Sequence, residues 1–243
     1  MSTDWLSRTR ILIGDDGIDK ISNSKVVVAG VGGVGAFAAE MLVRAGIGSV
    51  VLIDHDKFSI TNLNRQIPSL NSNIGVDKCK VLKDRFLDIN PLLKVDTIDK
   101  YIEESNLESL FFELNPNYIV DAIDTLAPKC ALIKFAKDKG IPIVSSMGAG
   151  AKMDATKIRI KDISKTYNCP LAYALRKRLR KMGINSGIKA VFSEELPDDK
   201  AILAIEDGLE RNKKSIAGTI SYLPAVFGAV CAQVIIQDLL TNK

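Results

Sequence analysis

Short β-branched runs alternate with amphipathic stretches through the first 150 residues. Lys25-Val26-Val27-Val28-Ala29 is almost continuous valine, the pattern of a strand buried on both faces. Ser49 to Ile53, Leu93 to Ile98, Tyr118 to Val120 and Ile141 to Ser145 read the same way. Between them the spacing predicts helices over Ala36 to Ala45, Lys78 to Ile89, Asn106 to Leu114 and Pro128 to Lys139. Gly46 and Gly48 end the first of these, and Asn90-Pro91 stops the second. A further helix is predicted over Asp4 to Ile21, with Trp5, Leu12 and Ile13 among its apolar positions. Strands alternating with helices imply βαβ units. The expected class is therefore α/β, a mostly parallel sheet flanked by helices. Right-handed crossovers place its ligand crevice at the carboxyl ends of the strands.

The second half, residues 151–243, changes style and forms a mixed C-terminal extension. Ile158 to Ile163 alternates like an exposed strand. Pro170 to Met182 is a basic helix in which Leu171, Leu175 and Leu179 recur every four residues, so the leucines should face the core. Glu194 to Lys214 is polar and poorly patterned, and reads as a mobile loop. Ile220 to Leu240 is near the length of a membrane span. Its uninterrupted apolar part is only about 14 residues, which favours a helix buried in protein. We expect one domain over 1–243, with a nucleotide-binding core over 1–150.

Composition excludes several classes. Of 243 residues 47% are hydrophobic and 26% charged, as in ordinary globular proteins, which sets aside collagen-like, disordered and disulfide-scaffold chains. No two of Cys79, Cys130, Cys169 and Cys231 stand in a C-x-x-C spacing, which argues against a structural zinc site. The chain opens on no secretory leader, so it is expected in the cytoplasm with reduced, mostly buried thiols. Cys169, in the basic segment, is the one thiol expected to be exposed. With His55 the single histidine, a Ser-His-Asp machine would have to use it, and His55 reads better as a loop residue.

The candidate chemistry begins at Gly30, Gly32 and Gly35, a G-x-G-x-x-G between a strand and a helix. Glycines let the backbone turn tightly and approach phosphates, and the helix start offers free N–H groups. Asp54 closes the next strand, where a carboxylate can accept ribose hydroxyls. A Rossmann-like NAD dehydrogenase is the commonest owner of such a fingerprint. The stretch after Asp54 argues otherwise. Some twenty polar residues intervene before Lys78, and Asp124 falls just past the fourth predicted strand. Arg65, Lys78 and Asp124 can then all reach the rim of the phosphate crevice. Two cations and a metal-binding carboxylate suit attack at the α-phosphate of ATP, with Mg²⁺ on Asp124 and the cations on departing pyrophosphate.

G-x-G-G-V-G, then D-x-D, N-x-N-R-Q, Lys78 and D-A-I-D together resemble the ubiquitin-activating-enzyme-like adenylating proteins of the ThiF, MoeB and HesA group. The resemblance runs from about Arg8 to Gly150. It implies ATP and Mg²⁺, with Arg65, Lys78 and Asp124 carrying the chemistry. It implies a nucleotide site of Gly30, Gly32, Gly33, Gly35, Asp54, Asp56, Asn62, Asn64, Arg65, Gln66, Lys78 and Asp124. Asp54 would bind ribose, Gly33 would approach the phosphates and Asp124 would carry the metal. The family is dimeric, and Arg8, with Arg10 close by, would reach the ATP site of the other subunit of a homodimer.

Within that group, Asp162-Ile163-Ser164-Lys165-Thr166, Pro170-Leu171-Ala172 and Ala190-Val191-Phe192-Ser193-Glu194 resemble the branch that dehydrates threonylcarbamoyladenosine in tRNA. The implied reaction is ATP-dependent. The threonyl carboxylate beside the anticodon is adenylated, and the neighbouring carbamoyl group closes a ring and expels AMP. The alternative is adenylation of the C-terminus of a ubiquitin-like sulfur carrier, which usually needs a thiol or zinc site. A third reading is a nucleotide-binding adaptor for a cysteine desulfurase or other sulfur-relay protein. Charge supports the tRNA reading independently. Ile163 to Ser193 holds seven Lys or Arg and no acid, in a chain of net charge +4. The positive charge is thus concentrated, as expected of a phosphate-contacting surface rather than a merely solvated face. Arg176, Lys177, Arg180 and Lys181 are the expected tRNA contacts, and no membrane is expected as a partner.

Overall fold

The valine run becomes strand β1 (Lys25–Ala29), whose last four residues are fully buried. In the computed structural model, which describes residues 4–204 and 215–241, β1 lies between β2 (Ser49–Ile53) and β4 (Tyr118–Asp121), parallel to both. Val27 stands opposite Val51 on one side and Ile119 on the other. Beyond β2 lies β3 (Lys94–Ile98), and beyond β4 come β5 (Ile143–Ser146), β7 (Lys189–Ser193) and the edge strand β6 (Ile158–Asp162). The seven-stranded order is β3-β2-β1-β4-β5-β7-β6, parallel except for β6 against β7. The chain order reverses between β1 and β4, so the loops after these strands part there and open a crevice.

Helices cover both faces. α1 (Ser7–Ser22), α2 (Gly35–Arg44), α3 (Lys78–Ile89) and α7 (Tyr222–Thr241) contribute to one hydrophobic core. α4 (Leu107–Phe111), α5 (Leu126–Asp138) and α6 (Pro170–Lys181) contribute to the other. α7 is long and apolar enough to cross a bilayer by length and composition alone, but Leu223, Phe227, Cys231 and Ile235 are buried here. A side chain at Gly228 would meet the Val34 carbonyl oxygen at 2.4 Å and Phe37 Cβ at 2.7 Å. Glycine is what lets α7 lie directly on α2.

Several expectations need correction. The N-terminal helix starts at Ser7 and is interrupted at Gly14, whose φ is 73°, and Leu12 is 83% exposed. The helix expected over Asn106 to Leu114 is only Leu107–Phe111, and Asn115 turns the chain with φ 41° before Pro116. β7 is additional to the predicted strands. Its apolar run Ala190-Val191-Phe192 is too short to separate strand from helix by period alone. The polar stretch read as a loop over Glu194 to Lys214 contains strand β8 (Ile202–Ala204), paired antiparallel with β9 (Ser215–Ala217), while residues 205–214 lie outside the described residues. All four cysteines are free and buried, including Cys169, contrary to the expectation of an exposed thiol there. Burial pushes the Cys79 and Cys231 thiols up to about 12 and Cys130 up to about 11, so none of these three is a ready nucleophile.

Candidate active site

The crevice is built on backbone before side chains. β1 runs into Gly30, which has φ 82° and donates its N–H to the Ile53 carbonyl at 2.8 Å. A side chain on Gly35 would fall 1.8 Å from the Gly30 carbonyl oxygen, so the strand can enter α2 this tightly only through glycine. The first turn of α2 then presents backbone N–H groups at the mouth of the crevice. Arg65 lies against this loop. Its carbonyl oxygen is 3.2 Å from where a Gly33 Cβ would stand, and Pro224 of α7 is 3.1 Å from the same point. The glycine loop is thus walled by the 59–66 segment on one side and by the start of the last helix on another.

Asp54 comes directly after β2. Its Oδ2 accepts the Val31 N–H at 2.7 Å and its Oδ1 the Asp56 N–H at 2.9 Å. An ionised carboxylate has about four lone-pair positions, so acceptor capacity remains for ribose hydroxyls. Asp56 takes the Lys78 ammonium at 2.9 Å, and its carbonyl accepts the Lys78 N–H at 3.1 Å. These two contacts fold the long polar loop back so that Lys78, the first residue of α3, is pinned two residues beyond Asp54 with its side chain largely buried. Arg65 donates to the Thr61 carbonyl and to Asn64 Oδ1, each at 2.9 Å. Asn64 in turn donates to the Thr219 carbonyl at 2.9 Å, just ahead of α7.

The third wall is the D-A-I-D segment. The Ala122 N–H bonds to the Ala29 carbonyl at 2.9 Å, and the Ala122 carbonyl oxygen lies 3.0 Å from the point a Gly30 Cβ would occupy. Asp124 is therefore held at the crevice rim, exposed, two residues from the glycine loop contact. The first acid of the same motif, Asp121, is half of a buried pair. Lys129 Nζ lies 2.9 Å from Asp121 Oδ2, and both side chains are 0% exposed. Burial pushes the Asp121 carboxyl up, against the pull of Lys129 and the Ser145 hydroxyl. The available signal was the spacing itself, an acid at the end of a strand and a lysine eight residues on, in the first turns of a helix.

Other expected residues serve differently. Asn62 is buried and its Oδ1 accepts the Ser59 N–H at 3.1 Å, which fixes the start of the loop. Gln66 is also buried, with its Nε2 3.7 Å from the Gly32 Cβ position. The ligand atoms of Asp54, His55 and Asp56 lie within 4.8 Å of one another, but the hydrogen bonds of the two carboxylates already account for that arrangement. His55 packs edge-on to Tyr101, ring centroids 5.0 Å apart. Arg10 is paired with Asp4 and Asp15 within its own chain, whereas Arg8 is exposed and, among the described residues, has no such partner. On α6, Leu175 and Leu179 are buried and Lys177, Arg178, Arg180 and Lys181 are exposed. Arg176 departs from the expected outward set: it is half-buried and donates to the Thr166 hydroxyl.

Residues 6–243 match the ThiF family. The chain belongs to that family. Among ThiF-related proteins, the tRNA threonylcarbamoyladenosine dehydratase of Bacillus subtilis (strain 168) is 39% identical over 241 residues, covering 97% of this chain and 94% of that protein. The enzyme of the same name from Escherichia coli (strain K12) is 34% identical, covering 100% of this chain and 97% of its own. The crystal structure of the E. coli dehydratase TcdA in complex with ATP superposes with a TM-score of 0.87 at 33% identity, over 98% of this chain and 96% of that one. Likeness to these ThiF-family enzymes therefore runs through both halves of the chain, including the α6 and α7 region, and not only through the nucleotide motifs.

Proposed function

We propose that this chain uses ATP to cyclise threonylcarbamoyladenosine in tRNA by dehydration. The observation that carries the reading is a glycine loop at the sheet's switch point with Asp54 bonded to Val31 and Arg65 lying against Gly33, Lys78 tied to Asp56 and Asp124 two residues past the Ala122 contact, in a chain similar over nearly its whole length to dehydratases of that name. ATP lies with its ribose on Asp54 and its phosphates over the start of α2. The threonyl carboxylate attacks the α-phosphorus, and the bond to the leaving pyrophosphate breaks. Lys78 and Arg65 take up the charge of that group, and Lys78 exchanges its Asp56 partner for phosphate. The carbamoyl group of the same nucleoside then attacks the activated acyl carbon, and AMP leaves with the former carboxylate oxygen. The nucleophile is already tethered, so ring closure needs no enzyme thiol. Four buried cysteines are consistent with that, and they leave no exposed thiol for sulfur passed from a cysteine desulfurase.

Mg²⁺ fits this site. It is ordinarily held by one or two carboxylates together with substrate phosphates, and Asp124 is one exposed carboxylate at the phosphate rim. When bound there it would neutralise phosphate charge. The tRNA would lie along α6 on Lys177, Arg180 and Lys181, with Arg176 bracing the helix. In a homodimer, Arg8 is the arginine left to reach across, because Arg10 is occupied within its own chain.

The test is incubation of the purified protein with ATP, Mg²⁺ and tRNA carrying threonylcarbamoyladenosine, then mass spectrometry of the nucleosides. The expected result is loss of one water from the modified nucleoside with one AMP formed per event. AMP formation that requires a ubiquitin-like protein and leaves the nucleoside unchanged would overturn the reading.

A further inference from the structure

Lys129 stands in the first turns of α5, buried, with its ammonium spent on the loop that precedes the helix. It lies 2.9 Å from Asp121 Oδ2 and donates to the Ile123 carbonyl at 2.9 Å. The Asp121 carboxylate accepts the Ile123 N–H at 3.2 Å on its other oxygen and the Ser145 hydroxyl, from β5, at 2.6 Å. Both backbone polar groups of Ile123 are therefore gripped by one ion pair, and Ile123 is the residue before Asp124. We propose that the Lys129–Asp121 pair is a positioning device that aims the Asp124 carboxylate at the phosphates and their metal. The inference rests on the reading of Asp124 as the carboxylate that holds Mg²⁺.

Stability alone is a poor reason for this pair. Taking two charges out of water costs more than a buried pair commonly returns, and apolar replacements of similar volume often serve a fold as well or better. The surroundings here favour such a replacement, since Cys130, Ile133 and Ile119 of the same core are apolar and buried. What an apolar pair cannot do is hold the N–H and the C=O of one residue at once. Ala122, which touches the glycine loop, is tied separately by its N–H to the Ala29 carbonyl at 2.9 Å, so the grip of the pair bears on Ile123 and Asp124 rather than on the phosphate cradle.

The experiment compares Lys129→Met, Lys129→Arg, the double variant Asp121→Asn with Lys129→Met, and the milder Ser145→Ala. ATP affinity is titrated calorimetrically with and without Mg²⁺, and urea unfolding is measured on the same samples. Supporting residues behind a metal ligand typically change metal affinity about 10- to 100-fold. The double variant is expected to fold, to bind ATP alone as the parent does, and to lose about that factor from the gain that Mg²⁺ confers. Lys129→Arg should recover part of the gain. Should every Lys129 variant unfold, Ser145→Ala carries the test, with a smaller loss of the same Mg²⁺-dependent gain and unchanged affinity for ATP alone. A folded double variant, or Ser145→Ala in that case, that keeps the whole gain overturns the positioning role. Asp124→Ala is titrated in parallel. If it too keeps the whole gain, the assignment of Asp124 itself has failed, and the positioning role falls with it.

Discussion

The cations at the crevice and those on α6 are held in opposite ways. Lys78 is buried on Asp56, Arg65 is fixed by Thr61 and Asn64, and Lys129 is locked wholly inside. On α6, among the described residues, Lys177, Arg178, Arg180 and Lys181 are exposed, and none pairs with a carboxylate within 4.0 Å. The first arrangement suits chemistry, where a donor must already point at the place charge will develop. The second suits a polyanion read by its backbone, where flexible, hydrated charges release counterions and geometry matters little. One sheet carries both: preorganised charge at its switch point and loose charge on an outer helix.

The comparison breaks most visibly at Asp124. Asp124→Ala should lower AMP formation about 100- to 1,000-fold while the melting temperature stays within about a degree, because an exposed carboxylate supports little packing. A quench-flow measurement of AMP beside a thermal scan decides it, and a large drop in melting temperature would return Asp124 to a structural role. Next comes α6. Replacing Lys177, Arg180 and Lys181 with Gln should weaken tRNA binding about 10- to 100-fold at low salt, and the slope of log affinity against log salt should shrink by about 0.9 for each phosphate no longer neutralised. Adding Arg176→Gln should mainly cost stability, given its bond to Thr166. ATP affinity should not move in either case, and equal tRNA slopes for variant and parent would make α6 an ordinary solvated face.

A subtler effect is expected at the thiols. Changing Cys79, Cys130, Cys169 and Cys231 together to Ala should lower stability by about 1 to 3 kcal/mol through poorer packing and leave tRNA modification in place. A folded variant that forms AMP yet fails to modify tRNA would show that the crevice needs a thiol after all. The smallest effect concerns the α2–α3 brace. Burial pushes the Glu40 carboxyl up, but hydrogen bonds from Arg85, at 2.7 and 3.0 Å, and from Arg44, at 2.9 Å, outweigh it and leave it below its ordinary value. Its contribution is therefore complete above the unfolded carboxylate range and fades as pH falls through the lower folded value. Glu40→Gln should flatten the acid limb of the stability curve in urea titrations from about pH 6 to about pH 3, with little change in ATP affinity near pH 7.

The parts legible from sequence are those ruled by local physics. β1 and β2 are two nearly uninterrupted β-branched runs, and they stand where the pattern put them because strands buried on both faces tolerate little else. The glycine loop is legible because only glycine survives 1.8 Å from a carbonyl. What could not be read is long-range. Nothing in Lys189–Ser193 announces that it inserts between β5 and β6, since that choice is made by pairing partners far away in the chain. That Asn62, read as a nucleotide contact from its motif, also caps Ser59 is visible only once the loop is folded. Asp121 opens the D-A-I-D motif, but only the fold shows that it is buried against Lys129.

The contact of Pro224 with the glycine loop bears on how the protein is made. Every nucleotide motif is synthesised by about residue 150, but the helix that leans on Gly33 and covers β5 and β7 comes well after them. A nascent chain stalled before Tyr222 carries the glycine loop and the proposed nucleotide contacts but an uncovered sheet face over Val144 and Val191. A polypeptide at that stage exposes an apolar sheet face that the finished fold buries under α7, the condition under which nascent proteins aggregate or engage chaperones.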